Sequence, residues 1–407
     1  MQLTSLANGL RVASRPMKSV ETIAVGLYAA TGSRNEPARL NGIAHLFEHM
    51  VFKGAGGRAA REISELVEDV GGDLNASTDR ELTAFYLSLL APDLELGVKL
   101  LADLIQRPHF EAAHLELEKK VVLQELAEAQ DTASDIVFDL LQEAAFRDQP
   151  LGRSVLGDEQ TIRAVNTNDL HGWLDSQYAP GSLVLVGAGK LEHQRLVDLA
   201  EAAFGAMAPK ASPPQQTAAF TGGSRFGRRK SAQAHIAIAM AAPEWGAADA
   251  FASQMFADVV GAGSSSRLFQ QLREEQGLAY SVASGAQNYA DAGLFWTYVA
   301  SDRADAGLVH REMERVIAET AAGLEQRELE RARALAKAGM MMSLESCWGQ
   351  ASYLATRLIR DDALIEPAEI VARLDRVTLD EVRAVGTRML AGPRAVASVG
   401  AKLALAA

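Results

Sequence analysis

Hydrophobic and polar residues follow two different periods along this chain of 407 residues. Alternation with a period of two predicts strands, whereas apolar positions three and four residues apart predict amphipathic helices. In the first half, the pattern predicts strands at 22–30, 73–78, 81–90 and 183–189, and helices at 61–71, 92–106, 111–145 and 167–178. This mixture indicates an α+β fold.

The second half of the chain repeats this order of elements. Strands are predicted at 235–240, 278–287 and 293–300, and helices at 303–323, 327–345 and 365–373. Thr167 and Thr378 are each followed by acidic residues, which is typical of a helix N-cap, and the two positions are 211 residues apart. We therefore expect two homologous domains, each a mostly antiparallel sheet covered by helices.

The length of the chain also favours two domains, because 407 residues exceed the usual size of a single hydrophobic core. Residues 208–223 include three prolines and read as turn-rich and polar. We therefore predict an N-terminal domain at 1–207, a linker at 208–223 and a C-terminal domain at 224–407.

Composition excludes several classes of function. The net charge of −12 disfavours binding to nucleic acid and offers no basic patch for a membrane surface. No apolar run is long enough to span a bilayer, and no signal peptide is predicted, so we expect a cytoplasmic protein. Cys347 is the single cysteine, which excludes a disulfide within the chain.

The stretch His45-Leu46-Phe47-Glu48-His49 is a candidate metal site. Two histidines four residues apart share one face of a helix, about 6 Å apart along its axis, so both imidazoles can reach one ion. Glu48 borders the same spot and could take a proton from a metal-bound water. This H-x-x-E-H order is that of the inverzincins. The alternative is a helix whose histidines face solvent, but the apolar neighbours Ile43 and Phe47 indicate burial, and buried histidines need partners.

A third ligand should come from another helix, and the long helix predicted at 111–145 offers several acids. Glu118 and Glu125 are seven residues apart and therefore share a face. Spacing alone does not choose among the acidic candidates, which are Glu116, Glu118, Glu125 and Glu128.

A second motif lies in the other half of the chain, where a charged helix is predicted to end at Gly277 and a strand to begin at Leu278. Arg273 and Tyr280 flank this corner, and both side chains can donate hydrogen bonds to a developing oxyanion. The alternative is that Arg273 forms a surface ion pair and Tyr280 lies in the core. The preceding segment 261–266 lacks the Gly-Lys-[Ser/Thr] of a phosphate-binding loop and is predicted to be a tight connection.

These motifs resemble those of the M16 (pitrilysin or insulinase) metallopeptidases, most closely the short M16B type that includes mitochondrial processing peptidase and bacterial relatives. The resemblance covers nearly the whole chain and is carried by segments 6–12, 42–54, 72–78 and 267–282. It implies the LuxS/MPP-like metallohydrolase fold, one Zn²⁺ per chain and activity as a metalloendopeptidase.

The resemblance also assigns roles to residues. Glu125 stands in the family's V-x-x-E context and is implied as the third metal ligand with His45 and His49, while Glu118 supports the site without binding metal. Glu48 is implied as the base, and the Arg273–Tyr280 pair as a substrate contact. The stretch that contains Asn75 and Ala76 resembles the family's substrate-binding edge strand. For Ser77 and Thr78, a half-buried strand followed by a turn is an equally open interpretation. Phe52 is predicted to lie near the site, although core packing alone would explain it.

Partners follow from the same resemblance. The substrates are expected to be peptides or unfolded segments bound in extended form inside a chamber formed by two chains, with the Arg–Tyr element facing the metal of the partner chain. A homodimer is predicted, and a heterodimer with a related M16B chain stays open. Two other functions remain as alternatives, namely a non-catalytic core subunit of an M16-type complex and a peptide-binding protein with a structural zinc.

Overall fold

We describe a computed structural model of the protein, in which residues 1–210, 215–229 and 231–403 are described. The first half contains eight strands and eight α-helices. The strands are β1 (Gln2–Ser5), β2 (Arg11–Pro16), β3 (Thr22–Ala29), β4 (Gly54–Ala55), β5 (Arg58–Ala59), β6 (Asp73–Thr78), β7 (Thr83–Leu90) and β8 (Leu183–Gly189). The helices are α1 (Ile43–Val51), α2 (Ala60–Glu68), α3 (Leu94–Gln106), α4 (Ala112–Asp131), α5 (Ala133–Ala145), α6 (Glu159–Ala164), α7 (Thr167–Gln177) and α8 (His193–Phe204).

The second half contains five strands, six α-helices and one π-helical segment within the described residues. The strands are β9 (Gly223–Gly227), β10 (Gln233–Ala242), β11 (Ala279–Asn288), β12 (Gly293–Asp302) and β13 (Arg394–Val399). The helices are α9 (Ala250–Gly261), α10 (Ala306–Gly323), α11 (Gln326–Ser343), α12 (Cys347–Asp361), α13 (Pro367–Arg376) and α14 (Leu379–Ala391), and the π-helical segment is Phe269–Glu275.

The chain divides into two compact units that are discontinuous in sequence. Unit 1 comprises Met1–Leu126, Ser154–Gln216 and Met340–Glu366, and unit 2 comprises Ala127–Arg153, Thr217–Gly339 and Pro367–Ala407. The contiguous boundaries expected from the sequence do not describe this arrangement, because α5 belongs to unit 2 and α12 to unit 1. The predicted linker at 208–223 lies partly outside the described residues.

Unit 1 is built on a six-stranded sheet with the order β1-β2-β8-β3-β7-β6. Its neighbouring strands are antiparallel except for β2 and β8. One face packs on α1 and α3 through buried side chains such as Leu27, Phe47 and Phe85. The other face, which includes Tyr28, packs on Leu354 of α12. Strand β6 forms one edge of the sheet.

Unit 2 is built on a five-stranded sheet with the order β11-β12-β10-β13-β9. It is antiparallel except between β13 and β9. Val137 and Leu141 of α5 pack in one buried cluster with Ala237 of β10. The ring of Phe256 on α9 contacts that of Phe295 on β12 edge-on, with centroids 5.4 Å apart. In the strand order of this sheet, β11 lies at one edge, as β6 does in the sheet of unit 1.

The two halves of the sequence repeat the same order of their main elements, as the sequence predicted. In chain order, β3, β6, β7, α3, α4, α5, α7 and β8 correspond to β10, β11, β12, α10, α11, α12, α14 and β13. The prediction of two like domains, each with a mostly antiparallel sheet and helices, is confirmed.

Two local predictions are wrong. The helix predicted at 111–145 is two helices, because Thr132 adopts an extended conformation (φ −90°, ψ 101°) between α4 and α5. Thr167 is not an N-cap, since the side chain of Asn166 accepts the amide hydrogens of Asn168 and Asp169 instead. The predicted cap at Thr378 is confirmed, and its side chain accepts a hydrogen bond from the amide of Glu381.

Candidate metal centre

Helix α1 starts at a glycine that cannot be replaced by a residue with a capping side chain. Gly42 has a positive φ of 93°, and a Cβ there would lie 2.6 Å from the side chain of Ile162. Capping is therefore supplied from outside the helix by Glu36, which is buried. Its carboxylate accepts hydrogen bonds at 2.8 Å from the amides of Gly42 and Ala44 and from Nδ2 of Asn41. This negative charge satisfies amide groups at the start of α1 and opposes the helix dipole.

Three side chains from α1 and α4 that could bind a metal ion converge. Glu125 Oε2 lies 3.8 Å from His45 Nε2 and 3.6 Å from His49 Nε2. One ligand atom from each residue lies within 4.8 Å of the others, and no other cluster of this kind occurs among the described residues. Ligand atoms on a tetrahedral zinc ion are about 3.3 Å apart. A carboxylate oxygen 3.6 and 3.8 Å from two imidazole nitrogens is close to this spacing, and this set of donors fits a Zn²⁺ ion.

The other nitrogens of the two histidines are in different surroundings. Nδ1 of His49 lies 3.2 Å from Oε2 of Glu118, and Lys53 Nζ lies 2.9 Å from the other oxygen of Glu118. A hydrogen on Nδ1 that is directed at Glu118 leaves Nε2 as the metal-binding nitrogen. Nδ1 of His45 is buried without a hydrogen-bond partner within the described residues. Burial, with a smaller contribution from His49, lowers the pKa of His45 to about 4, so the ring is neutral and able to bind metal at neutral pH.

Glu48 projects from α1 beside the ligands. Its Oε2 accepts a hydrogen bond from Thr78 Oγ1 at 2.5 Å. Burial raises the pKa of Glu48, and the charge of Glu125 adds to the increase, whereas the hydrogen bond from Thr78 and the charge of His49 lower the pKa. A carboxyl with a raised pKa can both accept and return a proton.

A cleft of about 380 Å³ opens next to Glu48 and His49. It is bordered by the edge strand β6 and includes the three residues predicted from the sequence to contact substrate, which are Phe52, Asn75 and Ala76. Lys53 and Glu118 also line this cleft. Phe52 is half-buried, and its ring centroid lies 6.2 Å from that of Phe85.

The second motif forms a corner in unit 2. The π-helical segment Phe269–Glu275 is followed by Gly277, which has a φ of 63°, and by β11. Tyr280 lies at an irregularity in the pairing of β11 with β12, as in a β-bulge, and is 57% exposed. Its assignment to the core, the alternative from the sequence, is therefore wrong. The guanidinium of Arg273 lies over the ring of Phe269, 4.8 Å from its centroid, and Arg273 makes no ion pair with any described residue.

Sequence reasoning missed three residues around the site, which are Glu36, Lys53 and Thr78. Glu36 gave no local signal, because it precedes α1 in a loop and its role depends on how that loop folds. Lys53 follows the H-x-x-E-H helix, and its contact with Glu118 on α4 is not visible in any spacing. Thr78 stood in a recognised segment, but its partner lies 30 residues away.

Comparison with known proteins finds relatives over nearly the whole chain. Family models described as insulinase (peptidase family M16) and as the peptidase M16 inactive domain match residues 11–159 and 164–335. An uncharacterized zinc protease of Mycobacterium leprae is 32% identical, over 95% of this chain and 88% of its own length. The beta subunit of mitochondrial-processing peptidase from Lentinula edodes is 31% identical, over 96% of this chain and 87% of its own.

Solved structures agree on the fold. A protease from Helicobacter pylori is similar with a TM-score of 0.91 at 20% identity and covers 98% of both chains. A protein from Pseudomonas fluorescens, described as a peptidase M16 inactive domain, also has a TM-score of 0.91, at 21% identity, with 100% of this chain and 99% of that chain covered. Among the described residues, no helix is both long enough and apolar enough to cross a membrane.

Proposed function

The chain belongs to peptidase family M16, and from this premise we propose that it is a zinc-dependent endopeptidase that hydrolyses peptides in extended form. The observation that carries the proposal is the convergence of His45, His49 and Glu125 beside the carboxylate of Glu48. Relatives named as zinc proteases support the choice of metal.

His45, His49 and Glu125 would hold one Zn²⁺ per chain. When bound, the ion would polarise a water molecule and the carbonyl group of the substrate. Glu118 keeps the ring of His49 in place through Nδ1, and Lys53 holds the opposite oxygen of Glu118. Removal of such a supporting carboxylate commonly weakens metal binding.

Glu48 is the general base and then the general acid. It takes a proton from the attacking water as the new C–O bond forms, and it gives a proton to the leaving amine as the C–N bond breaks. Arg273 and Tyr280 donate hydrogen bonds to the oxyanion of the tetrahedral intermediate. The exposure of Tyr280 and the absence of an ion pair at Arg273 among the described residues support this role.

The substrate adds to the edge of β6 as a further strand, since edge strands offer backbone hydrogen bonds that do not depend on sequence. Asn75 and Ala76 contact the peptide backbone, and Phe52 lines the wall of the cleft. Binding by an edge strand selects extended peptides and unfolded segments over folded proteins.

Arg273 and Tyr280 belong to a different unit from the metal ligands, and we propose that they act at the metal of a partner chain. A homodimer would then enclose the substrate in a chamber. Because some relatives are named as a beta subunit, a heterodimer with a related chain is the alternative assembly. Mixing a Glu48→Gln chain with an Arg273→Ala chain should restore cleavage, and no recovery at any ratio would refute the shared site.

The decisive experiment is the substitution Glu48→Gln, followed by measurement of zinc content and of cleavage of a quenched peptide library with and without chelator. We expect zinc to stay bound while cleavage falls at least about 100-fold. Full cleavage by the variant would exclude Glu48 as the base. Bound zinc without any cleavage by the unsubstituted protein would favour a non-catalytic subunit or a peptide-binding protein. A cytoplasmic location stays a prediction.

A further inference from the structure

We propose that Thr78 is a positioning residue that fixes the orientation of Glu48 and ties it to the strand on which the peptide lies. The proposal rests on the proposed peptidase function. It adds a residue that neither the motif nor the metal-ligand set includes.

The contact between Thr78 and Glu48 is short and specific. Thr78 Oγ1 donates to Glu48 Oε2 at 2.5 Å, and no other hydrogen bond to this carboxylate occurs among the described residues. With Oε2 engaged, Oε1 is the oxygen left to accept a proton from water. The hydroxyl therefore does more than satisfy a half-buried carboxylate, because it decides which carboxylate oxygen does the chemistry.

Thr78 is itself held in place by the sheet. It is the last residue of β6 and pairs with Thr83 of β7. Thr83 is buried, and its hydroxyl donates to the backbone oxygen of Thr31 at 3.0 Å. Thr78 is β-branched, which restricts its χ1 angle. A donor with so little freedom can hold a Glu side chain that would otherwise sample several rotamers.

The backbone of Thr78 faces the free edge of the sheet. Ala76 lies opposite Phe85 of β7, but its amide donates to Oδ1 of Asn75 at 2.8 Å rather than to a carbonyl of β7. In an antiparallel pair, residues alternate between facing the partner strand and facing away. Leu74, Ala76 and Thr78 thus direct their backbone groups to the free edge of the sheet. The residues between them face β7, and the next residue of that series, Asp79, accordingly donates its amide hydrogen to the backbone oxygen of Leu82.

The side chain of Thr78 thus contacts the base Glu48, and its backbone is available to the peptide. A peptide that adds to β6 can bond to the backbone of Thr78 on the open side, while the side chain of Thr78 holds Glu48. Strand β6 therefore fixes the position of Glu48 and also sets the register of the bound peptide. We infer that Thr78 helps to determine which peptide bond meets Glu48, and that its loss lowers the rate of the chemical step more than peptide affinity.

The first test compares Thr78→Val, Thr78→Ser and the control Ser88→Val. Valine keeps the shape and strand preference of threonine without the hydroxyl, serine restores a hydroxyl, and Ser88 is an exposed residue on β7 with no contact to Glu48. We expect Thr78→Val to lower kcat by about 10 to 100-fold with KM changed by less than about two-fold, because misplacing a catalytic group by a small distance costs rate. Thr78→Ser should recover most of kcat, and Ser88→Val should match the unsubstituted protein. A loss confined to KM, or a serine variant as slow as the valine variant, would overturn the proposal.

The second test does not need turnover. A peptide hydroxamate chelates zinc and donates a hydrogen bond to the neighbouring base, whereas the matching carboxamide makes only the strand contacts. Calorimetry on the zinc-loaded proteins should show that Thr78→Val, with Thr78→Ala as a second variant, weakens hydroxamate binding about 10-fold and leaves carboxamide binding unchanged. Equal weakening of both ligands, or of neither, would refute the role of Thr78. Because this comparison needs no cleavage, it decides the role of Thr78 even if the unsubstituted protein cleaves nothing, an outcome that would refute only the peptidase assignment.

Discussion

The substitution Glu36→Gln tests whether the metal-binding helix depends on a carboxylate outside it. Glutamine has nearly the same size as glutamate, but it keeps one acceptor oxygen and replaces the other with an NH₂ group. In the structure, one oxygen of Glu36 accepts from the amide of Ala44, and the other accepts from the amide of Gly42 and Nδ2 of Asn41. Either orientation of the glutamine amide would point a donor at another donor.

The expected cost follows from these contacts. A hydrogen bond to a charged group contributes about 1.5 to 3 kcal/mol, and Glu36 is only 3% exposed, so solvent does not replace what is lost. Loss of one or two of the three bonds should lower the free energy of unfolding by about 3 kcal/mol. For a compact unit of this size, that corresponds to a decrease in Tm of about 6 to 12 °C.

The assay is thermal unfolding followed by circular dichroism, with zinc affinity measured by competition with a chelator. Zinc affinity should fall about 10-fold, because a frayed first turn of α1 no longer fixes His45. The matched control is Glu62→Gln, since Glu62 also accepts a backbone amide at a helix start, that of Ala59 at 2.7 Å, but on the exposed surface. Its cost should be below about 1 kcal/mol. A Glu36→Gln variant no less stable than the Glu62→Gln variant would refute the reasoning.

Three further predictions concern the metal and one half-buried acid, Asp258. Glu118→Gln should weaken zinc binding about 10 to 100-fold in a chelator competition while the peptide-binding strand stays intact; unchanged affinity would exclude its support of His49. Removal of zinc should lower the free energy of unfolding by about 4 kcal/mol relative to the protein at 1,000 times its zinc Kd, and hydrogen exchange should show the lost protection in α1 and α4 but not in the sheet of unit 2. Burial raises the pKa of Asp258 to about 6 from a normal 3.8, so its contribution to stability is present below pH 4 and is lost as the pH rises to 6. Asp258→Asn should therefore be more stable than the unsubstituted protein at pH 7.5, and the difference in Tm should vanish near pH 4; a difference that stays constant with pH would contradict this.

The sequence could predict that three residues of the candidate metal centre lie together because their arrangement is local. His45, Glu48 and His49 lie within one helical turn, so their placement depends only on α1 being a helix. The choice of Glu125 could not be made from spacing. Glu118 and Glu125 share a face of α4 that is directed at α1. In the structure they contact different nitrogens, since Glu118 lies next to Nδ1 of His49 and Glu125 lies next to the Nε2 atoms of both histidines.

The pattern of hydrophobic residues could not predict which helix packs against which sheet. Periodicity shows that a helix has an apolar face, but it does not show which sheet that face covers. The pattern at 111–145 is continuous and gives no sign of the break at Thr132, nor of the change from unit 1 to unit 2 after Leu126. Helix α12 was not predicted, and its apolar face covers the sheet of the opposite half of the sequence.

The duplication also explains why one metal site per chain is expected. Aligning α11 with α4 from their first residues places Leu329 at the position of Leu115, and both are buried. In the same alignment, Ala332 takes the position of Glu118 and Gly339 that of Glu125. The second unit thus keeps the fold and the edge strand but has small residues where the first has its acids. Substrate contact through Tyr280 is the role that we propose for the second unit. Zinc measured by atomic emission should therefore reach one ion per chain, and a second tightly bound ion that survives His45→Ala would contradict this division.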